Sequence, residues 1–282
     1  MSKTRERIHD SQLRYKQGLG QNFLYDDALL EQLAALSGVT AEDDVLEIGP
    51  GTGGLTRCLC RAARRVTSIE LDARLIPLLR AYMEPYPNFR LIEGDAMTVD
   101  LAEAASELRQ PLSVVANIPY YITTPLILRL LGCGLRLKRL ALMVQREVAD
   151  KLMASPGEDG WGMLALKAQW YTVPRLALEV PREAFTPVPK VDSAFVVMET
   201  RGAPPVPVMN EETLFRVAAA AFALRRKTMA NALSAALRVE RAEAAELMER
   251  AGLDPMVRGE KLTVAELARL ADTMDSLDGK NG

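Results

Sequence analysis

The stretch that most narrows the fold is Asp44-Val45-Leu46-Glu47-Ile48 running into Gly49-Pro50-Gly51-Thr52-Gly53-Gly54. The opening run is β-rich, a glycine loop follows it, and Leu55 to Ala63 then reads as a helix. Strand, glycine loop and helix in that order make a nucleotide-binding βα turn, because glycines let the backbone approach a ligand that a Cβ would block. Gly49, Gly51 and Gly54 also satisfy G-x-G-x-x-G. By itself that pattern fits a tight turn with no ligand as well.

The segments that follow extend the same sheet. Val66-Thr67-Ser68-Ile69-Glu70 is a second strand ending in an acid. Glu70 lies about twenty residues beyond the first glycine, where a carboxylate can accept from both ribose hydroxyls of a nucleoside. Phe89 to Ala96 repeats the pattern, with Asp95 just past a third strand. Asp95 is placed either to accept from the adenine amine of a nucleoside cofactor or to close an Asx turn or cap a helix. Leu112 to Ala116 is a short run, apolar apart from Ser113, that suits a strand covered on both faces. Leu140 to Val144 reads as a fifth strand, with a helix over Gln145 to Met153 and a loop over Ser155 to Gly162. Trp170 to Val180 and Ala194 to Met198 complete the set as an antiparallel pair at one edge.

The run Asn117-Ile118-Pro119-Tyr120-Tyr121 follows the Leu112 strand. Pro119 has no N–H to give a ladder, so the strand must end there, leaving Asn117 and Tyr120 at its carboxyl end. Open α/β sheets place their ligands at that edge. An amide and an aromatic ring around a rigid turn suit a planar base with an exocyclic amine, which the Asn117 side-chain oxygen and the Ile118 carbonyl could each hold by one hydrogen. Tyr120 could stack on the base, an interaction worth about 1–3 kcal/mol. The blander alternative is a strand-ending turn with a capping asparagine. Phe185, in Phe185-Thr186-Pro187-Val188-Pro189-Lys190-Val191-Asp192-Ser193, is either a second stacking platform held out by the prolines or a plug in the core beneath the loop.

The chain of 282 residues carries one histidine, His9, and three cysteines at no zinc spacing. Histidine-based catalysis and a histidine-rich metal site are therefore set aside, and no metal is expected. No apolar run is long enough to span a membrane, and the polar, basic N-terminus is not a secretory signal, so a cytoplasmic location is expected. Residues 1–17 form a basic N-terminal arm, read as a solvated tail or as an arm that meets phosphate. Residues 18–203 are assigned to a catalytic domain. Arg201-Gly202-Ala203-Pro204-Pro205-Val206-Pro207 marks the boundary to a helical domain over 208–282. Leu214, Val217, Ala218, Ala221 and Leu224 keep a helical period there, and Arg225-Arg226-Lys227 interrupts it as a basic patch. Further helices are expected over Ala242 to Arg250 and Val264 to Asp272.

These residues together resemble the ribosomal RNA adenine N6,N6-dimethyltransferase family. The resemblance runs in order through Gly20-Gln21-Asn22-Phe23-Leu24, Leu46 to Gly53, Ile69-Glu70-Leu71-Asp72, Glu93-Gly94-Asp95-Ala96 and Asn117-Ile118-Pro119-Tyr120. It continues through Gln145-Arg146-Glu147-Val148-Ala149, Phe185 to Ser193, and Arg225 to Met229 with Asn231-Ala232-Leu233, covering nearly the whole chain. The fold it implies is α/β: a Rossmann-like S-adenosylmethionine (SAM)-dependent methyltransferase with a seven-stranded, mostly parallel sheet and an antiparallel edge, plus a small all-α C-terminal domain. It implies SAM contacts from Asn22, Leu24, Gly49, Gly51, Glu70, Asp95, Ala96 and Asn117. Asn117, Ile118, Pro119 and Tyr120 would form the catalytic lip, with Phe185 against the other face of the base, and Arg225, Arg226 and Lys227 would meet RNA. The implied substrate is 16S rRNA of an immature 30S subunit, and the implied product is two adjacent dimethylated adenosines; a monomer is expected. The net charge of −2 departs from the more basic look of family members.

Three rivals remain at the level of sequence. A 23S rRNA adenine N6-methyltransferase of the macrolide-resistance type shares the Asn-Ile-Pro-Tyr loop. A non-catalytic RNA-binding assembly factor could keep the same scaffold. An NAD(P)-dependent oxidoreductase could use the glycine loop and Glu70, although its acid–base histidine or Tyr-x-x-x-Lys is missing.

Overall fold

The computed structural model describes residues 21–224 and 226–278. The arm over 1–17 and Arg225 lie outside the described residues. The chain forms two compact units. One runs up to Ala149 and resumes over Thr172–Thr200, and the other takes Asp150–Tyr171 and the chain from Arg201 onward. No helix among the described residues is long and apolar enough to cross a membrane.

The first unit holds strands β1 (Phe23–Leu24), β2 (Asp44–Ile48), β3 (Arg65–Glu70), β4 (Phe89–Glu93), β5 (Leu112–Asn117), β6 (Leu137–Gln145), β7 (Thr172–Val180), β8 (Phe185–Thr186) and β9 (Ser193–Thr200). Seven of them form one sheet in the order β4-β3-β2-β5-β6-β9-β7. The run from β4 to β6 is parallel, while β6–β9 and β9–β7 are antiparallel. This is the α/β sheet with an antiparallel edge that the sequence implies. Helices α1 (Asp27–Leu36), α2 (Gly54–Ala62), α3 (Ile76–Met83), α4 (Leu101–Ala104) and α5 (Thr123–Leu131) lie between strands in chain order, and α6 (Arg146–Met153) follows β6. Asp26 starts α1 by accepting from the Ala28 and Leu29 amides, which have no partner inside the helix. Every residue of β2 is buried, as expected where helices cover both sheet faces.

From β2 the chain moves to β3 on one side and later returns to β5 on the other. Ile48 and Ala116 are register partners, so Gly49 and Asn117 leave the sheet side by side at this reversal of strand order. Crevices for ligands open at such points.

β1 and β8 pair separately, with Phe23 opposite Thr186 and Leu24 opposite Phe185. Two-residue strands carry no readable period, and the sequence does not foretell this pair. Leu24 and Phe185 both belong to the apolar core of the first unit.

The second unit packs α7 (Met163–Tyr171), α8 (Glu211–Ala223), α9 (Met229–Leu237), α10 (Arg241–Arg250) and α11 (Val264–Asp278) around a core of its own. Trp170 and Tyr171 were expected to begin a strand, yet they close α7 and β7 starts at Thr172. Both rings lie against Phe215, at centroid distances of 6.2 and 6.0 Å, and the Trp170 indole donates to Glu211 Oε2 at 2.8 Å. Packing within the second unit therefore overrides the β propensity of that aromatic run. It also groups residues 150–171 with the helices rather than with the sheet, unlike a linear division at 203. Leu224, read as part of the helical period, ends α8 and is 40% exposed.

Candidate active site

One cavity in the first unit collects most of the expected site. Asn22, Leu24, Gly49, Gly51, Glu70, Asp95, Ala96, Asn117, Ile118, Pro119 and Tyr120 all line it. Separate elements deliver them: β1, the loop after β2, the end of β3, the turn after β4, and the end of β5.

The glycine loop is shaped by left-handed backbone. Gly49 has φ +69° and Gly51 φ +57°, conformations that L side chains rarely adopt. A Cβ on Gly51 would also stand 2.9 Å from Cε1 of Phe23, so the Phe23 ring lies directly against the loop. Phe23 lines the cavity too. The Gly-Gln-Asn-Phe-Leu motif signals that segment, but nothing local marks the phenylalanine as the residue that meets Gly51. Gln21 fastens the same segment, donating to Asp72 Oδ2 at 3.0 Å.

Glu70 accepts from the Gly51 amide at 3.1 Å through Oε2 and from the Asp72 amide at 2.8 Å through Oε1. Burial pushes its carboxyl above the ordinary glutamate range, and those two amide donors pull it back towards the charged form. Asp95 Oδ1 accepts from the Met97 amide at 2.8 Å, so the turn reading of Asp95 and its place in the cavity hold together. Glu47, inside β2, is 1% exposed and also reaches the cavity. Burial pushes its carboxyl up to about 7, against the hydrogen bond from Ser68 Oγ at 2.6 Å.

The lip after β5 is held on several sides. Ile118 donates its N–H to the Met143 carbonyl at 3.3 Å, extending the β5–β6 ladder by one bond beyond Asn117. Pro119 then breaks the ladder, and Tyr120–Ile122 form a 3-10 turn closed by Ile122 N–H to the Pro119 carbonyl. Asn117 Nδ2 donates to the Asn22 carbonyl at 3.1 Å. Tyr120 shares a hydroxyl–hydroxyl hydrogen bond of 2.7 Å with Ser193, and burial pushes its phenol above the usual tyrosine range. Tyr121 also borders the cavity and is 55% exposed.

Phe185 corrects the expected picture. It is 1% exposed, pairs with Leu24 and sits in the apolar core, so it is the plug beneath the loop and not a stacking platform. Of the basic patch, Arg226 and Lys227 are exposed on the turn between α8 and α9 of the second unit.

A glycine cradle at the strand-order reversal, an acid at the end of the next strand and a second acid after the third define a nucleoside-cofactor site of the SAM-dependent methyltransferase class. The donor set fits that group: Glu70 is aimed by two amides beside the loop, and it lines the same cavity as Asp95. Residues 12–276 match the family described as Ribosomal RNA adenine dimethylase. The chain is 41% identical over 280 residues to Ribosomal RNA small subunit methyltransferase A of Geobacillus thermodenitrificans, covering 96% of this chain and 95% of that one. It is 40% identical over 272 residues to the protein of the same name from Lactococcus lactis, covering 95% and 92%. Among solved structures, a dimethyladenosine transferase from Plasmodium falciparum superposes with TM-score 0.75 at 23% identity over 92% of this chain and 98% of that one. The 23S rRNA methyltransferase ErmE superposes with TM-score 0.67 at 27% identity over 90% and 100%. The chain belongs to the ribosomal RNA adenine dimethylase family. It is accordingly a SAM-dependent rRNA adenine dimethyltransferase, with SAM as its cofactor.

Proposed function

We propose that the enzyme methylates N6 of two adjacent adenosines in a 3'-terminal hairpin loop of 16S rRNA, giving N6,N6-dimethyladenosines. Its substrate is an immature 30S subunit late in assembly, and it acts as a monomer in the cytoplasm. The relatives near 40% identity are named for the small ribosomal subunit and match almost end to end, which supports that subunit as target. The observation that carries the chemistry is the Asn117 amide: its nitrogen is engaged by Asn22, which leaves its oxygen to accept from an incoming amine.

Glu70 would take the ribose hydroxyls of SAM and Asp95 its adenine amine, with Asn22, Leu24, Gly49, Gly51 and Ala96 completing that wall. SAM supplies, when bound, a methyl group on a positively charged sulfonium, a strong electrophile. Asn117 Oδ1 and the Ile118 carbonyl each accept one hydrogen of the target amine. Those two acceptors favour a pyramidal nitrogen whose lone pair is free to attack, while Tyr120 holds the base by stacking. Pro119 keeps the two acceptors at a fixed separation. The nitrogen turns acidic as it gains the methyl and passes its proton to water, so alignment rather than a general base does most of the work. The target must leave its stack to enter, at a cost of a few kcal/mol that is smaller in a loop. Arg226 and Lys227 of the second unit would contact phosphate.

Purified small and large subunits lacking the modification, each incubated with labelled SAM and digested to nucleosides, test the reading. Labelled dimethyladenosine from 16S rRNA is expected. Label in 23S rRNA instead would reassign the enzyme to the large subunit.

A further inference from the structure

The exposed mouth of the cavity, the buried Glu47 and the hydroxyl partner of Tyr120 all invite a role, and the last is tied most closely to the reacting base. We propose that Ser193 is a positioning residue whose hydroxyl aims the Tyr120 ring at the target adenine. The inference rests on the stacking role given to Tyr120 above.

Ser193 is fully buried and opens β9, paired to Gln145 of β6 on one side and Val180 of β7 on the other. Its neighbour Asp192 is pinned as well. The Asp192 carbonyl accepts from the Arg146 amide at 3.0 Å, and Asp192 Oδ1 accepts from the Arg182 amide at 3.0 Å. The Ser193 hydroxyl is therefore a rigid point anchored in the sheet. Tyr120, by contrast, stands on a 3-10 turn whose own hydrogen bonds are local, from Ile122 N–H to the Pro119 carbonyl and from Thr123 Oγ1 to the Pro119 and Tyr120 carbonyls.

Among the described residues, Ser193 is the one side-chain hydrogen-bond partner of Tyr120, at 2.7 Å. The tyrosine Cβ and hydroxyl both lie on the long axis of the ring. Pinning the hydroxyl fixes the direction of that axis, and with it the χ1 rotamer that sets where the ring face stands. The segment from Phe185 to Ser193 then serves the reaction through its last residue: Phe185 anchors one end in the core and Ser193 sets the ring at the other.

The test compares Ser193→Ala, Tyr120→Phe, the double variant and Ser193→Thr, using unmethylated small subunits and crystallography of Ser193→Ala. Ser193→Ala should lower kcat by about 10- to 100-fold, the scale of misplaced alignment. SAM affinity should stay within about twofold, because additive sites that do not touch leave each other unchanged. Tyr120→Phe should give the same loss, the double variant no further loss, and Ser193→Thr should restore the rate by keeping the hydroxyl. In the Ser193→Ala crystal the Tyr120 ring should occupy a different rotamer. An unmoved ring, an unchanged kcat, or losses that multiply in the double variant would overturn the assignment. If the wild-type enzyme methylates no rRNA, the functional reading fails, and the ring position alone still decides whether Ser193 aims Tyr120.

Discussion

The Asn117 side-chain nitrogen donates to the main-chain carbonyl of Asn22, 3.1 Å away across 95 positions of sequence. That bond fixes the orientation of the amide, since an amide whose nitrogen is occupied presents its oxygen as the remaining acceptor. It also joins the Gly-Gln-Asn-Phe-Leu segment to the Asn-Ile-Pro-Tyr lip, so in the proposed reading the cofactor side and the substrate side share one hydrogen bond.

Asn117→Ala removes both the acceptor for the amine and the partner of the Asn22 carbonyl. Methyl transfer at saturating SAM should slow by the equivalent of about 1–3 kcal/mol, the usual cost of an unpaired buried polar group. Single-turnover rates measure it, and a rate equal to wild type would remove the amide from the mechanism.

Tyr120→Ala should leave SAM affinity intact and slow transfer, because stacking on the base contributes about 1–3 kcal/mol. Calorimetry with SAM and rapid-quench methylation separate the two effects. Equal weakening of both would mean that the ring serves the cofactor side.

Asp95→Ala should weaken SAM binding by about 1–3 kcal/mol by leaving the adenine amine without its acceptor. Unchanged affinity by calorimetry would reduce Asp95 to the residue that accepts from the Met97 amide and closes its turn.

Glu47 links stability to pH. Its carboxyl sits near 7 in the fold against 4.5 when unperturbed, so the folded protein holds a proton that the unfolded chain releases. The stability this contributes is complete below the lower value and is lost as pH rises through the upper one, a change of about 3 kcal/mol. Glu47→Gln cannot ionise. Urea unfolding at about pH 5 and about pH 8 should show wild type losing stability relative to the variant at the higher pH. A constant difference between the two proteins would contradict the shift.

Much of this was legible in the sequence for simple reasons. Buried parallel strands announce themselves as apolar runs, and the glycines, strand-end acids and Pro119 mark the carboxyl edge of the sheet where the cavity lies. The failures share one cause. Phe185 is buried because β8 pairs with β1, more than a hundred residues earlier in the chain, and two-residue strands leave no periodic trace. Trp170 and Tyr171 read as strand on propensity, and their contacts with Phe215 and Glu211 decide otherwise. The Phe23–Gly51 contact and the Tyr120–Ser193 bond are likewise long-range, so only the folded chain reveals them.

The most direct test of the account is a crystal structure of the enzyme with SAM and an adenosine-containing RNA fragment. The target N6 should lie within about 2.7–3.2 Å of both Asn117 Oδ1 and the Ile118 carbonyl, with the Tyr120 ring over the base. An N6 turned away from both oxygens, with the base held elsewhere in the cavity, would contradict it.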